Sequence, residues 1–157
     1  MEQTIQIETG KSIKFENVAS YRARMKQSEI DQELGQFVAV LKDSGAKRNG
    51  PMISATFAMD NDQEEQVLDM EFMFPVDRPL DLPQPYGFKP VFQLVDAVYT
   101  RYTGNPDGLD RVFAELVDYI QRNKMIQVST GYTMSIQPPI VAEPCFDVYI
   151  VVNGSIL

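Results

Sequence analysis

Two short stretches of this chain, EFMFPV at Glu71–Val76 and DVYIVV at Asp147–Val152, are near copies of one strand, each an acid followed by a β-favouring apolar run. They constrain the fold because the elements before them recur too. Ile30, Leu34, Phe37, Val38 and Leu41 follow helical spacing after Ser28, which is placed to cap a helix with Asp31 three residues on, and Ser44–Gly45 stops it. Moved by 79 positions, these five fall on Leu109, Phe113, Leu116, Val117 and Ile120. This second helix starts at NPDG, with Asn105 as cap and Pro106 in the first turn, and stops near Asn123–Lys124.

Before the helices come the strand-like NVASYRARMK and VDAVYTRYTG, with Tyr21 answering Tyr99 at an offset of 78. After them come MISATFAMD and LDMEFMFPV in one half, and GYTMSIQPP and CFDVYIVVN in the other. The chain therefore reads βαββ twice. The expected halves are about 11–77 and 88–153, joined by the proline-rich DRPLDLPQPYGFKP, in one domain spanning 1–157. A period this long excludes a solenoid and favours an α+β domain with a pseudo-twofold.

Composition narrows the function. Fourteen Lys and Arg against twenty-two Asp and Glu leave a net charge of −8, which repels a phosphate backbone, and Lys47–Arg48 is too short to form a basic patch. No nucleic-acid partner is expected. The acidic surface favours solubility and is also suited to docking a basic protein. Cys145 is the one cysteine and is expected to pack as a small hydrophobe, which fits a reducing cytoplasm. The first twenty residues lack a signal-peptide pattern and no apolar run reaches membrane-spanning length, so a soluble cytoplasmic protein without a membrane partner is expected. NGS at Asn153 matches the glycosylation pattern by chance on this reading.

The absence of histidine removes the His-based triad, imidazole zinc sites and a haem axial histidine. GAKRNGPM, from Gly45, has Pro51 and Met52 where a phosphate loop needs Lys and Ser or Thr. No catalytic residue, metal or cofactor is therefore assigned, although Glu71, Asp147 and Tyr99 are the groups a hydrolase built on acids and tyrosines would use.

A duplicated βαββ chain whose second half runs VDAVYTRYTGNPDGLDRVFAELVDYIQRN and closes on DVYIVV resembles the GyrI-like effector-binding domains, found also as the ligand-sensing part of multidrug-responsive transcription regulators. The resemblance covers about Val18 to Val152. It implies antiparallel sheets with two helices on the outer faces, and a concave groove between the halves that binds small molecules or protein partners. The chain departs from the family pattern at Tyr132-Thr133-Met134-Ser135, where many members carry a glutamate. It also has no tryptophan and no helix-turn-helix or coiled-coil segment.

Strand alternation sends Phe72, Phe74 and Val76 toward the first helix, and Val148, Ile150 and Val152 toward the second. Glu71 and Met73, with Asp147 and Tyr149, then face the implied groove, and Phe57, Met59, Tyr132, Met134 and Tyr99 are of the type expected to line it. Carboxylates among aromatic faces attract a cationic or amphipathic molecule. In the plainer reading, the acids are a strand's solvated face and the Met and Phe side chains are core that fills the groove. Two functions follow: a non-catalytic domain holding a small amphipathic or cationic molecule, or an adaptor or inhibitor acting on a protein partner through its acidic surface.

Overall fold

The computed structural model describes residues 5–62, 65–136 and 143–153. Its elements are β1 (Glu8–Lys26), α1 (Ile30–Asp43), β2 (Met52–Asp62), β3 (Glu65–Pro75), β4 (Gly87–Thr103), α2 (Leu109–Arg122), β5 (Ile126–Ile136) and β6 (Cys145–Asn153). Among the described residues this is an α+β fold of six strands in antiparallel pairings and two helices. None of its helices is long and apolar enough to cross a membrane. The expected strand residues 137–139 lie outside the described residues.

Two compact units divide the chain. An N-terminal unit holds Lys14–Phe92, and a C-terminal unit holds Gln93–Leu157 with Met1–Ile13. The long strands β1 and β4 contribute residues to both.

Within the N-terminal unit β3 lies between β1 and β2. Phe37 and Leu41 of α1 bury their side chains with Ala19, Tyr21, Met25, Phe72, Phe74 and Val76, so the alternation expected of β3 is realised on the helix side. The proline-rich connector does more than tie the halves. Its Leu80, Leu82 and Tyr86 join the same core, as does Phe88 at the start of β4. The Tyr86 ring is stacked on Phe37 at 5.4 Å. Ser28 does not cap α1. A 3-10 turn, Gln27–Glu29, precedes the helix, and acids satisfy its free donors: the Lys26 and Ser28 N–H groups donate to Glu29 and Glu65, both at 2.8 Å.

The C-terminal unit repeats this order, with β6 between β4 and β5. Val112, Leu116 and Ile120 of α2 pack with Val98, Tyr102, Val148, Ile150 and Val152. Here Asn105 caps a 3-10 turn, Pro106–Gly108, that leads into α2, its side chain accepting from the Asp107 N–H at 2.9 Å, while α2 itself has no side-chain cap. A Cβ on Gly131 would run into the Phe113 ring, so glycine sets how closely α2 approaches β5. Each helix begins, and each ends, 79 positions after its counterpart. Left-handed residues recur at the same offset: Asn17 (φ 60°) with Asp96 (φ 59°), and Gly45 (φ 80°) with Lys124 (φ 57°).

Leu116→Ala should cost on the order of 2–5 kcal/mol by denaturation, because a fully buried side chain is removed from the centre of the C-terminal core. Gly131→Ala should also destabilise, and more in wild type than in a Phe113→Leu background. The Tyr21 hydroxyl donates to Glu33 at 2.6 Å, and this bond, followed by burial, pushes Tyr21 up to about 12. The folded chain thus holds this proton more tightly than the unfolded chain, whose tyrosine ionises near pH ~10. The stabilisation is complete below that pH and is lost as pH rises through about 12. The stability cost of Glu33→Gln, measured by urea unfolding at successive pH values, should accordingly shrink above pH ~10.

Candidate functional site

Residues directly opposite one another on neighbouring strands share a face. On the face of β4–β6–β5 turned away from α2, Tyr99, Tyr149 and Tyr132 form one row across the three strands, and Arg101, Asp147 and Met134 form the next. The Tyr99 and Tyr149 rings lie 4.9 Å apart. Asp147 is 9% exposed and accepts three hydrogen bonds, from Tyr99 Oη at 2.9 Å and from Arg101 Nε and Nη2 at 2.7 and 3.0 Å. Two of the three come from one planar guanidinium, the geometry that best holds a carboxylate. Burial, then the bond to Asp147, holds the Tyr99 hydroxyl well above the usual tyrosine range. Burial, then the Asp147 charge, raises Tyr149. The same carboxylate raises Arg101.

The N-terminal unit has the same register with different chemistry. Ser20, Met73 and Ile53 form one row, and Arg22, Glu71 and Ala55 the next. Glu71 is 6% exposed and Met73 fully buried, so neither belongs to a solvated strand face. Arg22 stands opposite Glu71 as Arg101 stands opposite Asp147, but its Nε and Nη2 donate to Asp69 at 3.2 and 3.0 Å. Its guanidinium lies 3.9 Å from the centre of the Phe57 ring. Glu71 is paired instead with Lys89 Nζ at 2.8 Å. That ammonium is also 3.8 Å from Met73 Sδ and 5.7 Å from the Phe92 ring centre.

The candidate residues thus fall into two groups, one in each unit. Tyr99, Tyr132, Met134, Asp147 and Tyr149 share one face of the C-terminal unit. Glu71, Met73 and Phe57 share one face of the N-terminal unit. Met59 does not join them. A bulge between Thr56 and Ala58 inserts Phe57, so Met59 pairs with Leu68, itself opposite Met25 of the helix-side core, and is 64% exposed. Register also corrects the tyrosine match: Tyr21 lies on the helix side, and the residue of β1 placed as Tyr99 is placed in β4 is Ser20. The cations Lys89, Arg22 and Arg101 carry no motif that marks them for these faces, although Arg22 and Arg101 sit 79 positions apart and each stands opposite an acid.

No family model and no curated protein matches the sequence. Among solved structures, the EcmrR C-terminal domain is similar over 98% of this chain and 100% of its own, with 16% identity and a TM-score of 0.74. EcmrR in its DNA complex gives the same TM-score at 18% identity, and this chain spans 58% of that longer protein. SAV2435, bound to tetraphenylphosphonium, matches at TM-score 0.56 and 11% identity, over 97% of this chain and 95% of its own. A hydrolase from Listeria innocua matches at 0.58 and 7%, over 97% and 93%. At such identities these are likenesses of fold, and the fold of this chain is that of the GyrI-like effector-binding domains.

Proposed function

We propose that this chain is a non-catalytic binding domain in which the sheet face carrying Asp147 and the sheet face carrying Glu71 each take a small amphipathic or cationic molecule. The observation that carries this reading is the tyrosine row Tyr99–Tyr149–Tyr132 beside a carboxylate fixed by three hydrogen bonds. Such a platform offers stacking area at little cost in side-chain entropy, with a carboxylate paired to Arg101 at its edge. Glu71 with Met73 offers a second carboxylate beside a polarisable thioether. The fold is shared with SAV2435, which binds tetraphenylphosphonium. We read the two βαββ units as an internal duplication, supported by the common offset of helices and left-handed residues.

The chemistry of the tyrosine cluster supports binding over catalysis. Tyr99 and Arg101 are both displaced away from neutral pH, and a chain without histidine has no side chain that ordinarily exchanges protons there. The net charge of −8 favours a second reading, an adaptor or inhibitor that docks a basic protein.

Titration calorimetry with tetraphenylphosphonium should show saturable binding. Asp147→Asn, which loosens Tyr99 and Arg101, and Glu71→Gln should each weaken binding at the face that carries the changed residue roughly tenfold while circular dichroism stays unchanged. Tight binding indifferent to both changes would reject the carboxylate-bearing faces. Absence of binding, together with recovery of one specific protein partner lost on neutralising exposed acids, would establish the adaptor instead.

A further inference from the structure

We propose that Lys89 is a tethered stand-in for a cationic ligand: it occupies the Glu71 carboxylate, and a lipophilic cation binds by displacing it. This deepens the ligand-binding reading and rests on it. The Lys89 ammonium contacts the Glu71 carboxylate at 2.8 Å, with the Met73 thioether at 3.8 Å and the Phe92 ring centre at 5.7 Å. A buried carboxylate, a polarisable sulfur and an aromatic ring are the groups that receive an organic cation. The position has the make-up of a cation site already filled by the chain's own ammonium.

Two features make this pair the exchangeable one. The contact is a single ammonium on a flexible stem whose side chain is 37% exposed, so the head has a route into water. Asp147, by contrast, is held by three donors. The cause is one residue. Two positions before Glu71, on the same strand face, Asp69 accepts from Nε and Nη2 of Arg22. Two positions before Asp147 stands Cys145, which offers no rival carboxylate, so Arg101 remains on its cross-strand acid. Glu71 is left to Lys89, its one ion-pair partner among the described residues.

A resident competitor selects among ligands. A cation with a large apolar body gains contacts that offset the displacement of Lys89, whereas a small hydrated cation does not. If Lys89 holds Glu71 about nine-tenths of the time, apparent affinity is reduced about tenfold.

Tetraphenylphosphonium titrated into wild type, Lys89→Met, Glu71→Gln and the double variant tests this. Lys89→Met should bind about tenfold more tightly, and the gain should vanish in the double variant. In wild type, saturating tetraphenylphosphonium should speed reductive methylation of Lys89 several-fold relative to the other lysines, read by mass spectrometry. Affinity unchanged or weakened in Lys89→Met, with Lys89 methylation indifferent to the cation, overturns the proposal. If wild type then still binds and Asp147→Asn weakens it, the ligand-binding reading stands without the stand-in. Absence of binding in both wild type and Lys89→Met sinks both. Should Lys89→Met lose its fold by circular dichroism, Lys89→Gln and the wild-type methylation rates decide.

Discussion

An acid on the middle strand of a sheet, on the face away from the helix yet out of water, must find a cation or a set of donors. β3 and β6 are both middle strands, and each carries such an acid, Glu71 and Asp147. Leaving a carboxylate buried without partners costs several kcal/mol, on the order of a domain's whole stability. The arrangement of Lys89, Arg101 and Tyr99 follows from that requirement. What looks like a ligand site is a set of satisfied charges.

The two units meet the requirement differently on one register. In the C-terminal unit a cross-strand arginine and a tyrosine close on Asp147, and the tyrosines beside it gain fixed positions. In the N-terminal unit Asp69 draws the corresponding arginine away, and a lysine from the start of β4 fills in. Ser20, Met73 and Ile53 stand where the other unit has Tyr99, Tyr149 and Tyr132. Two frames of one register thus carry an aromatic platform in one unit and a lysine–glutamate pair in the other.

Much of the frame was legible because helical and strand periodicities are local properties of the chain. The apolar stripes of α1 and α2, the Asn105 cap and the span of β6 follow from residues close in sequence. A cap at Ser28 does not form because the donors there are met by Glu29 and by Glu65, a residue 37 positions away. Met59 leaves the face that simple alternation gives it because a bulge shifts the alternation, and nothing in MISATFAMD marks where the extra residue enters. The connector's prolines give it the composition of a simple tie and conceal that Leu80, Leu82 and Tyr86 pack against the core.

The sequence by itself determined the element order, the two helix-facing stripes and the alternation that turns Glu71 and Asp147 away from the helices, since each depends on a period of two or of about 3.6 residues. Tertiary structure alone decided which cation meets which acid. Cross-strand pairing brings together Arg101 and Asp147, 46 positions apart, and the start of β4 brings Lys89 to Glu71. Charge pairing acts through space and has no period along the chain, so strand register, set by the packing of the whole sheet, determines the electrostatics of these faces.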